Sequence, residues 1–541
     1  MKHLLLLTII AFTFSACNQQ NQKALENSDS SLGVLEHDFD ISAAAQEDFE
    51  KGLLLIHSFE YDDALTAFQA AKEKDSTEVM AYWGEAMSHY KALWGLQDKR
   101  AGYAVIEQLG LSREERMASI EDPLEKDFWE GVEILYGDGS LKYRNAAFND
   151  HMEMLSKKYP GNQEARAFFA LSTMWDDDSE EKDIEKGKRA AAVAQGILEE
   201  NPLHPGALHY TIHAYDNPIN AHKAMDQARD YSKVAPDASH ALHMPSHIFL
   251  AQGMWPDVVA SNEESYAASV RRMERLGLTD EARGYHSYAW LHYAYLQQGR
   301  VEEATRLLAD IAQYFENTQS KSIRSYIASM QAAQLFETGQ WPEQLEVLDV
   351  DKSDLGLSAQ YSEALFDAQM AYHKGNNTDL EAIIDHLKSE IEKGKLYVSQ
   401  DKASMCSAGP SRYAPNEEAI KESEAVLHQI YALKAKLESS EKDVESFLQK
   451  AVALEADTDY SFGPIDIPLP SFERYGYWLI DHERYEEALD QFEKSLERAP
   501  NRRNAMMGMK IAYEKLGDHS KALSIEKDIK DFSMGNSSSP L

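Results

Sequence analysis

The chain has 541 residues, 43% hydrophobic and 10% aromatic, enough for one long repeat array or several compact domains. Its 91 acidic and 54 basic side chains leave a net charge of −37. A surface that acidic repels nucleic-acid phosphates and anionic lipid alike, and two cysteines, Cys17 and Cys406, cannot build a disulfide framework.

The chain opens on a short basic start, Met1–Lys2–His3, and then an apolar run from Leu4 to Phe14. That run is far below the ~20 apolar residues of a spanning helix but suits the core of a secretory signal. It ends Phe14–Ser15–Ala16–Cys17. This resembles the lipobox of bacterial lipoproteins, with Phe14 where an aliphatic residue is usual. The resemblance implies a signal peptide over 1–17 and a lipid on Cys17, each acyl CH₂ contributing roughly 0.8 kcal/mol of membrane anchoring. Asn18, in place of Asp, implies the outer membrane by the same resemblance.

Residues 18–40 are rich in Gln, Asn, Ser, Asp and Glu and read as a flexible tether. Residues 532–541 include Ser537–Ser538–Ser539–Pro540 and read as a disordered tail. Cys406 falls in the loop Ser404–Pro415 and reads as an ordinary thiol.

Over 41–531 apolar residues recur at helical spacing, broken by short turns carrying Gly, Asp, Asn or Pro, and no strand region stands out. Gly52, Ala64, Phe68 and Ala71 form one pattern, with Ala86 following Gly52 by 34 residues. Phe472, Gly476, Ala488, Phe492 and Pro500 form another, and Ala522 follows Ala488 by 34. In the centre Ala190, Ala224 and Val258 are 34 apart, as are Pro202 and Pro236. Small residues let paired helices approach, aromatics fill the space beside them, and proline ends the second helix. A 34-residue period of this kind resembles the tetratricopeptide repeat, a helix–turn–helix unit. The expected fold is all-α: a right-handed superhelix, or α-solenoid, of tetratricopeptide-like hairpins. The spacing from Val258 to Ala304 is 46, which places an insertion there, and 100–165 is helical but matches poorly.

Two histidine pairs sit one period apart: His209 and His213, then His243 and His247. The repeat resemblance puts His209 and His243 at position 5 of a first helix, His213 and His247 at position 9, His240 at position 2 and Asp216 at position 12. In that family these positions line the concave groove, and His286 extends the row. An i,i+4 pair presents both imidazoles on one helical face. Imidazoles reaching from adjacent helices suit zinc, copper, nickel or iron, with Asp216 as a ligand or as the group that orients one. Recognition of a polar ligand or peptide, and plain structural hydrogen bonding, are the two other readings. Phe49, Trp83 and Met87 take groove positions near the N-terminus, either gripping an apolar peptide side chain or packing on neighbouring helices. Asp176–Asp177–Asp178–Ser179–Glu180–Glu181 lacks the glycine and spacing of a calcium loop. No nucleophile motif, phosphate loop or His-Glu-x-x-His is present.

The segments His204–Pro205–Gly206–Ala207–Leu208–His209–Tyr210–Thr211–Ile212–His213–Ala214, His240–Ala241–Leu242–His243–Met244–Pro245–Ser246–His247–Ile248–Phe249 and Met80–Ala81–Tyr82–Trp83–Gly84–Glu85–Ala86–Met87 resemble a group of bacterial exported tetratricopeptide lipoproteins. The resemblance implies architecture and no reaction. The leading expectation is a non-enzymatic scaffold in the bacterial cell envelope, lipid-anchored and binding an envelope protein or peptide through its groove. The alternative is a metal-binding protein or metalloenzyme that uses the histidines.

Overall fold

The computed structural model describes residues 32–533, apart from 92, 94–95, 176–182, 237, 401–414 and 461–462. Cys17, Cys406, most of the tail and the acidic run at 176–181 lie outside the described residues. Among those described, the only strands are Tyr90–Lys91 and Leu96–Gln97, a two-stranded antiparallel hairpin that the sequence reading did not contain. The rest is helix and turn, so the fold is all-α, an α-solenoid arrangement of helical hairpins packed on their neighbours in sequence. No described helix is long and apolar enough to cross a membrane.

The hairpins close as the spacing predicts. Helix Gln46–His57 turns back into Tyr61–Lys74, and Ser471–Asp481 into Tyr485–Arg498. In the first, Phe68 is fully buried between two glycines: a Cβ on Gly52 would lie 2.8 Å from its ring and one on Gly84 only 2.2 Å away. In the second, Phe492 sits in the same way between Gly476 and Gly508, at 2.8 and 2.2 Å. Absence of side chain at two points makes room for one ring, whose burial stabilises by ~1.5–3 kcal/mol. Glu417–Leu437 and Glu441–Ala456 form a further hairpin. The insertion after Val258 lengthens the helix Trp255–Leu276 to 22 residues, against 14 in Tyr61–Lys74 and Tyr485–Arg498.

The chain forms two compact units. Unit 1 is Met1–Tyr215 with Ala224–Pro245, and unit 2 is Asp216–Lys223 with Ser246–Leu541.

Unit 1 decides between two readings of one trio and corrects one expectation. Phe49, Trp83 and Met87 are buried at 0%, 2% and 4% exposure and line no open groove. The space beside them is filled by Phe39, whose ring packs on Phe49 at 5.9 Å, Trp83 at 6.3 Å and Phe128 at 4.9 Å. Phe39 belongs to the correction. Composition assigns 18–40 to a flexible tether, yet its described part, 32–40, is held along the unit. The Val34 amide donates to Leu203 O at 3.2 Å, and Asn201 Nδ2 donates to Val34 O at 3.0 Å. Asn162 Nδ2 donates to Asp38 at 2.9 Å, and the Asp40 amide to Glu125 at 3.1 Å. Polar composition reports a lack of core-forming residues on average; it does not register one phenylalanine and a run of backbone bonds.

In unit 2 the fully buried Arg502 guanidinium bonds Glu473 twice and reaches Tyr293 Oη at 2.8 Å and Glu337 at 2.6 Å. This ties the helix Arg503–Leu516 to Tyr285–Gln297, Lys321–Thr338 and Ser471–Asp481.

Candidate metal centre

Helix Pro205–Ala214 starts where it does for a local reason. His204 precedes it as N-cap, with Nδ1 accepting the Ala207 amide at 3.2 Å, and Pro205 occupies the first helical position, where no amide is needed. The helix carries His209 and His213 on one face, as their spacing predicts, with ring centroids 4.8 Å apart. His240, on the short helix Ser239–His243, comes up to the same place. His209, His213 and His240 each offer a ring nitrogen within 4.8 Å of the other two.

The tautomer of His209 is set by its surroundings. Its Nδ1 lies 2.7 Å from the carbonyl oxygen of His57, which can only accept, so Nδ1 carries the proton. The bare nitrogen is then Nε2, and it lies 3.1 Å from Nε2 of His240. A backbone carbonyl that holds one ring nitrogen while the other is presented is the arrangement that orients histidine ligands in metal sites. The helix that supplies His209 is wholly buried at this point, His209 itself having 0% exposure.

Phe59 forms one wall. Its ring centroid lies 4.3 Å from His209, 5.9 Å from His213 and 5.5 Å from His240. Its backbone is left-handed, with φ 57°. The same turn elsewhere uses Gly253, Gly299 and Gly375. A non-glycine residue there costs roughly 1–2 kcal/mol, a cost the ring contacts offset.

The other predicted histidines are placed differently. His243 and His247 do not share one continuous helix: Ser239–His243 ends at Met244, and Pro245, which has no amide to donate, opens the next segment, Pro245–Ala251. His243 falls in unit 1, where its ring lies 6.1 Å from that of His240. His247, Asp216 and His286 fall in unit 2. There His247 Nδ1 donates to Asp216 Oδ2 at 2.5 Å, so Asp216 acts on a histidine, as one of the two roles expected of it. The His247 ring lies tilted beside Trp290 at 4.5 Å and His286 at 6.3 Å.

A second buried cluster in unit 1 was not legible in the sequence. His57, Glu164 and His204 are all at 0% exposure, with ring and carboxylate atoms within 4.8 Å of one another. Its hydrogen bonds argue for structure. His204 Nδ1 is already an acceptor of the Ala207 amide, so Nε2 carries the proton and faces Glu164 Oε1 at 3.3 Å. His57 Nε2 lies 2.8 Å from Glu164 Oε2, and its Nδ1 is 2.8 Å from Tyr210 Oη. Burial opposes ionisation of Glu164, but the two imidazoles outweigh it and hold the carboxyl well below the usual carboxylate range. Burial lowers the His204 imidazole, against the pull of Glu164. A protonated Nε2 on His204 cannot ligate a metal, so this trio is a buried carboxylate held between two imidazoles, beside the His57 carbonyl that meets His209. Residues 57, 164 and 204 share no spacing that a repeat or helix period would reveal; only the unusual His-Pro helix start was visible.

No protein-family model matches the chain, and no curated protein sequence does. Among solved structures, one similar chain is from the APC/C hetero-tetramer Cut9–Hcn1, 12% identical over 92% of this chain and 75% of that one, with a TM-score of 0.36. Human IFIT1, as a dimer with m7Gppp-AAAA, is 12% identical over 91% of this chain and 90% of its own, with a TM-score of 0.33. The TPR domain of P58(IPK) is 13% identical over 88% and 99%, with a TM-score of 0.20.

Proposed function

We propose that this chain is a helical-repeat protein of the bacterial cell envelope that binds a transition metal ion through His209, His213 and His240. The observation that carries the reading is the fixed tautomer of His209, whose bare Nε2 lies 3.1 Å from Nε2 of His240. Two nitrogens each about 2.0–2.1 Å from one ion at a tetrahedral angle stand ~3.4 Å apart, close to that separation. Three neutral imidazoles suit zinc, copper, nickel or iron, and leave a coordination position for a further ligand. His247 with Asp216 is a second oriented imidazole, in unit 2.

A lipid on Cys17 would hold the protein at the outer membrane, and the helical repeats would serve as a scaffold for an envelope protein or peptide. The support for this is the lipobox resemblance and the repeat architecture. A purely structural N–H···N bond between His240 and His209 is the competing reading of the same 3.1 Å contact.

Elemental analysis of the full chain, purified without a histidine tag, separates the two. About one equivalent of a transition metal, lost in His209→Ala/His240→Ala, is the expected result. No metal after reconstitution with zinc, copper, nickel and iron would overturn the metal reading and leave the scaffold. Fractionation tests the anchor: Cys17→Ser releases the protein from membranes, and unchanged membrane association would overturn lipidation.

A further inference from the structure

Unit 1 holds a cavity of about 460 Å³, and none of its lining residues belongs to the histidine clusters. Segment 32–40 supplies Asp40 to its wall, helix Val79–Ser88 supplies Val79, and helix Pro123–Leu135 supplies Pro123 and Glu125. The turn before that last helix adds Ile120, Glu121 and Asp122. The size falls within the ~300–1,000 Å³ of small-molecule sites.

The wall carries charge of one sign. Asp40, Glu121, Asp122 and Glu125 bring four carboxylates, and no lysine or arginine is among the described lining residues. None of the four has an ion-pair partner among the described residues. A concave wall with charge of one sign concentrates ligands of the other.

Glu125 points to a ligand. It is more than nine-tenths buried, with 8% exposure, and it lines the cavity. Its Oε1 accepts the Asp40 amide at 3.1 Å. Its Oε2 has no hydrogen-bond partner among the described residues, yet keeps accessible surface. Burial, with Glu78, Asp122 and Asp40 nearby, raises the pKa of this carboxyl to about 7. A bound cation would supply the missing partner and hold the group ionised.

The rest of the wall narrows the class of cation. No three of these carboxylates bring oxygens within 4.8 Å of one another, so they do not close on one metal ion. Val79, Ile120 and Pro123 offer apolar surface that a hydrated ion would leave unused. An alkyl chain with ammonium groups at intervals meets both features. Its methylenes lie on the apolar wall while its charges reach separate carboxylates.

We propose that this cavity binds a small aliphatic polyamine, with one ammonium donating to Glu125 Oε2 and another to the exposed carboxylates of Asp40, Glu121 and Asp122 at the mouth. The site is independent of the proposed metal centre.

The net charge of −37 attracts any polycation, so the test must separate a site from general attraction. The full chain, in a non-ionic detergent and about 0.15 M salt to screen distant charges, would be titrated by calorimetry with putrescine, spermidine, n-butylamine and calcium. Putrescine or spermidine binds saturably, one per chain, and at least tenfold more tightly than n-butylamine or calcium. Glu125→Gln keeps the size and an oxygen for the Asp40 amide, and weakens that amine at least tenfold. Glu121 is exposed, so Glu121→Lys sets a fixed ammonium at the mouth without touching the core and also weakens binding. Glu493→Gln removes an exposed carboxylate in unit 2 and leaves the affinity unchanged. No saturable binding of either polyamine would overturn the proposal. So would tighter binding of calcium or n-butylamine, or an affinity that Glu125→Gln changes no more than Glu493→Gln does.

Discussion

The Nδ1–H of His209 is spent on the main-chain carbonyl of His57, 2.7 Å away and 152 residues earlier. That bond decides which nitrogen His209 shows to His240. It also makes the proposed metal centre depend on the packing of two helix ends rather than on His209 alone. His240 is half-buried and can be tested without opening the core. His240→Ala should abolish stoichiometric metal while changing stability by less than about 1 kcal/mol. Thermal melts with and without zinc check it: the wild type gains stability with the ion and the variant does not.

Phe59 sets strain against packing. Phe59→Gly removes a left-handed cost of roughly 1–2 kcal/mol and also a ring contacting three imidazoles. Phe49, with ordinary helical backbone and 0% exposure, has only packing to lose. Chemical denaturation should therefore find Phe59→Gly less destabilising than Phe49→Ala, for which about 3–5 kcal/mol is expected.

Two glycines should respond in opposite directions to alanine. A Cβ on Gly84 meets the Phe68 ring at 2.2 Å, and Gly84→Ala should destabilise by roughly 1–3 kcal/mol through overpacking. Gly196, inside helix Asp183–Glu200, would meet nothing within 4 Å. Gly196→Ala should stabilise by about 0.4–1 kcal/mol, because the unfolded chain loses freedom. Urea midpoints measure both.

Glu125 gives the body a pH-dependence of unusual sign. Burial raises its pKa from 4.5 to about 7, although the Asp40 amide pulls it down. Between those values the folded state binds more protons than the unfolded one, so this contribution to stability is full below pH 4.5 and lost as pH rises through about 7. Glu125→Gln should remove the slope and leave the variant more stable than wild type at pH 8. His292 acts the other way. Its pKa falls from 6.5 to about 4 on burial, so its contribution is present above pH 6.5 and disappears as pH falls towards 4, on the order of 3 kcal/mol. His292→Phe should flatten that acid limb in melts taken from pH 7 to pH 4.

The sequence made the repeats legible because they depend on local facts. Gly52 and Phe68 stand at the same 16-residue offset as Gly476 and Phe492, and each acts through its own size. Even so, the spacing singles out Ala86, whereas the residue that meets Phe68 is Gly84. The His209/His213 pair was legible for the same reason, being one turn of one helix. What stayed hidden depends on pairs remote in sequence. His57 reaches Glu164 across 107 residues, and Asn162 reaches Asp38 across 124. The break at Pro245, by contrast, was written in the sequence: a proline between His243 and His247 denies them a shared uninterrupted helix.

The seat of Phe39 redraws where the body begins. Residue 41 is the natural cut point on composition, yet cutting there would withdraw the ring that covers Phe49, Trp83 and Phe128. The shortened protein would carry a freshly opened aromatic face, a surface of the kind that drives self-association. It would also lose the backbone bonds that Val34 makes beside Leu203. Residues 32–40 therefore act as a stopper over that face. Their bonds at Val34 end beside Leu203, one residue from the cap of the helix that carries His209 and His213.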